Sequence, residues 1–359
     1  MKTRKIFGYS IAAIFALTLA LATTACGNDK NGNGNGNGNG NGNGNGNGNG
    51  KGDLQKWTAV ADTTFGTSDI LAIAYGGGRW VAGGQDGKMA YSTDNGVTWT
   101  AVSDSTFGTF GIGGIAYGNN RFVAVGGGGR VAYSADSVSW TAGAENILGT
   151  NSITGMGNGI HAIAYGNNKW VAGGFQGKIA YSDDNGVTWT AVSDITGWQF
   201  TNSLGILVTP AINAIAYGNN RFVAVGDSGS RVAYSADGAN WTTVADSSFG
   251  NYGYDITFGT AGSAGGRFVA GGFSGAAYSA NGESWTSTTV GPGRSFGLSW
   301  GNNRFVSIGQ DGRIEYSTDA ETWTGVENRP FTRNGNVVAY GNGRFIAVDD
   351  GNRMAYADW

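Results

Sequence analysis

A tryptophan recurs along the chain at intervals of 36 to 52 residues, each time at the end of a similar segment. Residues 91–100 read YSTDNGVTWT, residues 181–190 read YSDDNGVTWT, and looser copies end at most of the other tryptophans. The recurring residues are Trp57, Trp99, Trp140, Trp189, Trp241, Trp285, Trp323 and Trp359. They bound seven periods. Periods of this length indicate a repeat architecture, in which one unit cannot bury its apolar faces alone.

Each period contains four short candidate strands, which in the second period read GIAYG, RFVAVG, RVAYS and SWTA. These runs are rich in Val, Ile, Tyr, Phe and Trp, and Gly, Asn and Asp punctuate them, as expected for strands joined by tight turns. RFVAVG is apolar at successive positions, which predicts burial on both faces of the sheet. The sequence therefore predicts an all-β fold, a seven-bladed β-propeller of four-stranded blades.

The two ends of the repeat region complement each other. The last period ends in ADW and leaves no room for a fourth strand, whereas KWTAV, which begins at Lys56 and ends at Val60, has no blade before it. We expect this N-terminal strand to complete the seventh blade and close the ring, within one domain covering residues 53–359. Closure removes exposed sheet edges that would promote aggregation.

The first 25 residues have the pattern of a signal peptide, with the basic start MKTRK and an apolar run that ends at Ala25. The sole cysteine, Cys26, follows directly and resembles the lipidated cysteine of bacterial lipoproteins. Thr23 stands where that family usually has Leu, so ordinary signal cleavage with Cys26 as a free thiol stays open. The resemblance implies an exported protein, anchored to a membrane by its lipid, in the periplasm or at the cell surface.

Residues 26–52 contain ten consecutive Asn-Gly pairs, which bury nothing apolar and predict a disordered linker. The root-mean-square reach of such a tract is about 25 Å, so we interpret it as a tether.

The repeated segments STDNGVTW and SDDNGVTW resemble the Asp-box of bacterial sialidases and other BNR-repeat propellers. The matching residues are Ser92, Asp94, Gly96 and Trp99, and Ser182, Asp184, Gly186 and Trp189. An Asp can accept hydrogen bonds from its own turn, Gly permits a positive φ angle, and Trp buries a large ring. The resemblance implies that the box lies between the third and fourth strands, away from the ligand-binding face, and serves folding.

Most basic residues of the propeller also repeat, at the starts of the second and third strands. Those that start second strands lie at the end of the blade that carries the box turns. We expect them to make scaffold contacts with the aspartates of these turns, Asp94, Asp136, Asp184, Asp237 and Asp319.

Three arginines do not repeat: Arg294, Arg329 and Arg333. They fall in connections that lead from a fourth strand to the next blade, on the face opposite the box turns. Asp349 and Asp350 lie on a turn of the same face. This group could bind a polar ligand or form solvated ion pairs of little energetic value.

The longest of these connections, residues 191–211, contains the unrepeated aromatics Trp198 and Phe200. Long loops with aromatic rings are plausible binding elements. The alternative is that these two rings cover a blade edge.

Several classes of function are disfavoured. A net charge of −3, with charged residues at 13% of the chain, offers no basic stripe to a nucleic acid. The single histidine, His161, excludes a multi-histidine metal site and leaves a Ser-His-Asp triad resting on one residue. We expect no metal and no cofactor. The sialidase catalytic residues, among them an Arg-Ile-Pro motif, cannot be transferred to this sequence.

The sequence thus favours a monomeric cell-envelope binding module for a glycan or protein ligand, without a recognisable catalytic site. One alternative is a sialidase-like glycoside hydrolase with a rearranged site built on the three unrepeated arginines. The other is a periplasmic scaffold for the assembly of another complex.

Overall fold

Each sequence period forms one antiparallel sheet of four strands in the computed structural model. The structure describes residues 56–150, 159–229, 231–244, 250, 252–260, 265–288 and 294–358. Within these ranges the chain is a seven-bladed β-propeller, as the sequence predicts. The signal peptide, Cys26 and the Asn-Gly linker lie outside the described residues.

The strands fall into four sets by their distance from the ring centre. The innermost strands are β2 (Ile70–Gly76), β6 (Ile112–Gly118), β10 (Ile160–Gly166), β16 (Ile212–Gly218), β20 (Gly253–Thr260), β24 (Ser295–Gly301) and β28 (Gly335–Gly341). The second strands are β3 (Arg79–Gly84), β7 (Arg121–Gly126), β11 (Lys169–Gly174), β17 (Arg221–Gly226), β21 (Gly266–Gly272), β25 (Arg304–Gly309) and β29 (Arg344–Asp349). The third strands are β4 (Met89–Ser92), β8 (Val131–Ser134), β12 (Ile179–Ser182), β18 (Val232–Ser235), β22 (Gly275–Ser279), β26 (Ile314–Ser317) and β30 (Met354–Asp358). The outermost strands are β5 (Thr100–Ala101), β9 (Thr141–Ala142), β13 (Thr190–Ala191), β19 (Thr242–Thr243), β23 (Thr286–Thr288), β27 (Thr324–Gly325) and β1 (Thr58–Ala59).

The N-terminal strand closes the ring, and this prediction is confirmed. Strand β1 pairs antiparallel with β30, with Thr58 opposite Tyr356 and Ala59 opposite Ala355. The seventh blade therefore has the order β1-β30-β29-β28, which joins the first strand of the ring to its last. The innermost strands contact their neighbours all the way round, including β2 with β28.

The second strands are buried on both faces, as their apolar runs predict. Five successive residues of β7, from Phe122 to Gly126, are buried. Asn119 and Asn120 form the turn that precedes it, with φ angles of 46° and 57°. Positive φ at both central positions matches the two-residue hairpin turn that suits twisted strands.

Adjacent blades pack through a glycine-to-ring contact that recurs around the ring. The last residue of β10, Gly166, lies so close to Tyr217 of the next blade that a Cβ would be 2.0 Å from the ring. Gly76, Gly118, Gly301 and Gly341 make the same approach to Tyr117, Tyr165, Tyr340 and Tyr75. A side chain at these positions would displace a neighbouring blade, because protein interiors are close-packed.

The blades expose two different faces. The turn face carries the turns between first and second strands and between third and fourth strands. The mouth face carries the turns between second and third strands and the connections from each fourth strand to the next blade. Among the described residues, no helix is both long and apolar enough to cross a bilayer.

Candidate functional site

The repeated aspartates organise their own turns on the turn face. Ser92 Oγ donates to Asp94 Oδ1 at 2.8 Å, Gly96 N donates to Ser92 Oγ at 2.9 Å, and Trp99 Nε1 donates to the Gly96 carbonyl at 3.2 Å. Burial opposes ionisation of Asp94, but hydrogen bonds, chiefly from Thr98, outweigh it and lower the Asp94 pKa to about 2.

The second full copy of the segment has the same geometry. Ser182 donates to Asp184 at 2.8 Å, Gly186 N donates to Ser182 at 2.9 Å, and Trp189 donates to the Gly186 carbonyl at 3.1 Å. The polar groups of both segments are thus engaged within the turn, which is the geometry expected of a structural element.

The repeated arginines of the second strands link neighbouring blades. Arg121 Nη1 donates to the carbonyl of Asn185 in the next blade at 2.9 Å, and its guanidinium carbon lies 4.5 Å from the Tyr133 ring centroid. Arg344 joins the last blade to the first by donating to the Asn95 carbonyl at 2.7 Å. The expected scaffold contact with the box aspartates is present for Arg79 and Arg267, which donate to the carbonyls of Asp136 and Asp319, each at 2.7 Å. The acceptor is the main chain of the turn, because the carboxylates accept hydrogen bonds within the turn.

On the mouth face, one backbone contact repeats in every blade. The residue after the second strand donates its N–H to the carbonyl of the residue before the innermost strand, at 2.8 to 3.1 Å. We call these residues the mouth ring: Gln85 with Asp69, Gly127 with Gly111, Phe175 with Gly159, Asp227 with Ala211, Phe273 with Tyr252, Gln310 with Arg294, and Asp350 with Asn334. The backbone is constant, whereas no two pairs carry the same side chains.

A second varied position lies next to the mouth ring, inside the innermost strands. Each of these strands has a β-bulge at its second residue; in β10 the pairing passes from Ile160 to Ala162 and skips His161. The skipped residues are Leu71, Gly113, His161, Asn213, Tyr254, Phe296 and Asn336. Bulges redirect side chains and are frequent beside functional sites.

The two bulged asparagines donate hydrogen bonds to the next blade. Asn213 Nδ2 donates to the Gly253 carbonyl at 2.8 Å, and Asn336 Nδ2 donates to the Ile70 carbonyl at 2.6 Å. Burial lowers the pKa of His161 below its usual value, so the imidazole is neutral at pH 7.

Blades five and six gather aromatic rings and an arginine at the mouth. Tyr254 stacks on Tyr252 with ring centroids 6.2 Å apart and meets Phe296 at 5.1 Å. Tyr252 contacts Phe273 at 6.0 Å, and the Arg294 guanidinium carbon lies 4.0 Å from the Phe273 ring centroid. We call these five residues the aromatic–arginine cluster. It includes one arginine that the sequence singled out.

Beside this cluster, Asp255 carries an acidic group inside the innermost strand. The equivalent residues of the other blades are Ala72, Gly114, Ala162, Ala214, Gly297 and Val337. The Asp255 carboxylate accepts hydrogen bonds from the backbone of Ile256 at 2.8 Å and of Leu298, in the next blade, at 2.7 Å. Burial raises the Asp255 pKa to about 7, against the effect of these bonds. The motif search missed this residue, although alignment of the repeats would have revealed an acid where other blades have a small or aliphatic residue.

Across the ring, the junction of blades seven and one is acidic. Burial, and then the charges of Asp350 and Asp86, raise the pKa of Asp69 above its usual value. Gln85 Nε2 donates to Asp69 at 2.8 Å, and Asn334 Nδ2 donates to Asp350 at 3.3 Å. The other carboxylate oxygen of Asp350 is buried without a hydrogen-bond partner among the described residues. We call Asp69, Asp86 and Asp350 the acidic junction.

In the described part of the chain, no cluster of three His, Cys, Asp or Glu residues has the arrangement of a metal site.

The structure separates the remaining predicted site residues. Arg329 Nη1 donates to the Asp311 carbonyl at 3.3 Å and lines a groove of about 870 Å³ with Trp57. The Arg333 side chain lies against Gly351. Thus Arg294, Arg329 and Arg333 occupy three different surroundings.

Asp349 stabilises its own turn. It is fully buried, accepts a hydrogen bond from Gly351 N at 2.9 Å, and pairs with Arg353. A ligand therefore does not meet this carboxylate, which corrects its selection as a binding residue.

The two aromatic residues of the long connection, residues 191–211, have different surroundings. Trp198 is 2% exposed and donates from Nε1 to the Pro210 carbonyl at 2.8 Å, so of the two alternatives for this ring it packs against the blades and does not face a ligand. Phe200 is half-buried, with the Arg231 guanidinium carbon 5.1 Å from its ring centroid.

Comparison with known proteins places the fold and no more. Neither a protein-family model nor a curated protein sequence matches the chain. Among solved structures, YCF48 bound to D1 peptide matches with a TM-score of 0.59 and 16% identity, covering 86% of this chain and 99% of that one. YCF48 from Cyanidioschyzon merolae matches with a TM-score of 0.62 and 14% identity, covering 84% of this chain and 98% of that one.

A third solved structure is a catalytically inactive virginiamycin B lyase from Staphylococcus aureus with quinupristin. It matches with a TM-score of 0.62 and 9% identity, covering 85% of this chain and 99% of the lyase. One fold thus carries a peptide-bound protein and an enzyme, and at these identities the likeness establishes the propeller fold alone.

Proposed function

We propose that this protein is an exported, lipid-anchored binding module of the cell envelope, which holds a polypeptide segment across its mouth ring as a monomer. The mouth ring carries this proposal. Its backbone contact is the same in every blade, while no two blades carry the same pair of side chains at this contact. Where packing alone acts on a repeat, equivalent positions keep equivalent side chains, as the glycine-to-ring contacts do. Variation on a constant backbone is what a surface adapted to an irregular ligand requires.

The chemistry of the ring favours a polypeptide over a neutral glycan. The aromatic–arginine cluster offers apolar area and one cationic group, which suit an apolar or acidic side chain. The acidic junction offers carboxylates that suit a Lys or Arg. A peptide supplies both kinds of group along one extended backbone, whereas a neutral sugar supplies no cation. The fold similarity to YCF48, a different protein whose structure contains a D1 peptide, supports a peptide ligand.

The N-terminal sequence supports the proposed location. A basic start, an apolar run and Cys26 support export and lipidation, and the Asn-Gly tract supports a tether between lipid and propeller. A tethered module that holds one polypeptide could act as an assembly scaffold for a larger envelope complex.

The test is selection from a random peptide library by the full chain, with a glycan array read in parallel for retention and cleavage. We expect enrichment of peptides that combine a Lys or Arg with apolar side chains. Substitution of Arg294→Gln, or of Asp69→Asn together with Asp350→Asn, is expected to weaken binding about tenfold. The matched control is Glu283→Gln, a partly exposed charge on the turn face, which leaves binding unchanged.

Two outcomes would contradict the proposal. Retention of glycans without peptide enrichment would replace the ligand class with a glycan. Cleavage of the retained glycans would favour the sialidase-like hydrolase.

A further inference from the structure

A small hairpin rises from the mouth face between blades three and four. Its strands, β14 (Phe200–Thr201) and β15 (Leu207–Val208), pair with Phe200 opposite Val208. At its tip, Leu204, Ile206 and Leu207 are 80%, 56% and 62% exposed. Every other exposed large apolar residue in the described ranges is a single valine of a turn-face turn, at 42% or less. The tip is therefore the one place where exposed aliphatic side chains adjoin each other in the described structure.

The hairpin stands on a fixed base. Trp198 is buried beneath the hairpin. Its Nε1 donates to the Pro210 carbonyl, and this hydrogen bond joins the two ends of the segment that carries the hairpin. Phe200 lies under the Arg231 guanidinium and against Gly229, where a Cβ would be 2.7 Å from the ring. Because both anchors are packed into the propeller, the tip is held outward instead of folding back over its own aliphatic residues.

Four backbone donors of the turn at the tip form hydrogen bonds within the turn. Asn202 Oδ1 accepts hydrogen bonds from Leu204 N and Ile206 N, each at 3.0 Å. Asn202 N donates to the Ile206 carbonyl at 2.9 Å, and Gly205 N donates to the Asn202 carbonyl at 3.0 Å. These hydrogen bonds lie within the turn, so they persist when the turn is transferred from water to an apolar phase. They therefore lower the cost of desolvating the backbone there.

The surrounding sequence carries no charge. Residues 195–220 contain no Asp, Glu, Lys, Arg or His, so the tip can enter an apolar phase without desolvating a charge of its own. The exposed apolar side chains of the tip are aliphatic, and the tip lacks the aromatic or arginine residues that dominate binding to protein partners. The N-terminal sequence, which predicts a lipid anchor at Cys26, brings the chain to a membrane. Together these features favour lipid over a protein groove.

We infer that the hairpin tip, Leu204, Ile206 and Leu207, inserts into the outer part of a lipid bilayer and forms a second membrane contact. Aliphatic residues at the boundary between headgroups and acyl chains add to the binding that a lipid anchor supplies. The mouth face would then be the face that meets the membrane. This inference goes beyond the proposed function; it rests on the lipid anchor of that proposal but not on its peptide ligand, since insertion requires no ligand in the mouth ring.

Depth-dependent fluorescence quenching tests the inference. The full chain carrying Cys26→Ser receives a single labelled cysteine, at Leu204→Cys or, as a control, at Val187→Cys. Val187 is an aliphatic residue of the turn face, 42% exposed. The probe is an environment-sensitive fluorophore, and the vesicles are phosphatidylcholine and phosphatidylglycerol with brominated acyl chains. Because each label reports its own depth, attachment through the N-terminal apolar run does not affect the comparison.

We expect a blue shift at residue 204 and quenching about threefold stronger than at residue 187. Adding Ile206→Asn and Leu207→Asn to the Leu204→Cys chain is expected to abolish this difference, while circular dichroism shows an unchanged fold. Equal quenching at residues 204 and 187 would overturn the inference and leave a protein partner as the occupant of the tip. A difference that survives the two asparagines would also overturn it, because the aliphatic tip would then not be the cause.

Discussion

The two faces of this propeller use repetition in opposite ways. On the turn face, blade after blade presents a serine, an Asp or Asn and a tryptophan in the same hydrogen bonds, and an arginine of one blade donates to the turn of the next. On the mouth face, the backbone contact repeats, but no two blades carry the same pair of side chains at it. The comparison teaches that side-chain identity is retained where it stabilises the ring and varies where the backbone alone suffices. We therefore propose the variable face as the recognition surface.

The largest expected effect tests the rigid, repeated part. Gly166→Ala places a Cβ within 2.0 Å of the Tyr217 ring, and the adjacent blade must shift. Overpacking of this kind is expected to lower the free energy of unfolding by about 3 kcal/mol, measured by urea denaturation. The control is Gly325→Ala, where a Cβ meets nothing within 4 Å. Equal stability of the two variants would show that the interface between blades accommodates a Cβ at residue 166, contrary to the close packing that the repeated glycine-to-ring contact implies.

The next effect concerns Asp255, an ionisable group that the mouth face keeps inside an innermost strand. Burial raises its pKa to about 7 from a reference value of 3.8. The unfolded chain loses this proton near pH 4 and the folded chain retains it to about pH 7, so stability falls as pH rises through this window. The contribution is about 2 kcal/mol, which is less than the pKa shift alone gives at about 1.4 kcal/mol per pKa unit, because Asp255 is only half-buried and solvent screens its charge.

Urea denaturation at pH 4.5 and pH 8 measures this effect. The wild-type chain is expected to lose more stability between the two pH values than Asp255→Asn, which has no proton to release. Other buried carboxyls with raised pKa values, such as Asp69 and Asp227, are present in both chains and cancel in the difference. Parallel pH profiles would show that Asp255 ionises normally.

A smaller loss of stability is expected from the turn face. Asp184→Ala removes hydrogen bonds to the backbone and side chain of Thr188, at Asp184 Oδ1 and Oδ2, and to Ser182. These lie at a solvent-accessible turn, so we expect a loss of about 1.5 kcal/mol and no change in ligand binding. The parallel variant Asp94→Ala, in the other full copy of the segment, is expected to give a similar value. A loss of ligand binding with normal stability would assign the turn face a recognition role and reverse the comparison.

The smallest effect on stability is expected from the mouth ring itself. Arg294→Gln removes a charge stacked on Phe273, and we expect a change of less than about 0.5 kcal/mol in the free energy of unfolding. The same substitution is expected to weaken peptide binding about tenfold, measured by titration calorimetry. A chain destabilised by more than about 2 kcal/mol would place Arg294 in the scaffold instead.

Most of the fold could be predicted from the sequence, because its signals are local. The spacing of the tryptophans, the apolar runs such as RFVAVG and the unmatched strand KWTAV predict seven blades and the closing partner of β30. Strand, turn and repeat period each depend on residues close together in the chain, so a sequence reader sees them directly.

The candidate site depended on contacts that the sequence does not display. Asp349 and Trp198 are residue types that often bind ligands. In the structure, however, Asp349 is enclosed by Arg353 and its own turn, and Trp198 by the base of the hairpin. Arg294 was selected for being unrepeated, and only the packed structure joins it to Phe273 and, through the other rings, to Tyr254. Asp255 was overlooked because its role depends on burial against Leu298 of another blade.

The sequence by itself thus determined the number of blades, the closure of the ring and the structural use of the repeated turns, because each follows from a local pattern repeated many times. The tertiary structure decided which unrepeated residues share the mouth ring, which are buried, and that Leu204, Ile206 and Leu207 remain outside the packed rings. Burial and proximity across blades arise only when the chain closes on itself, and no single period of the sequence contains them.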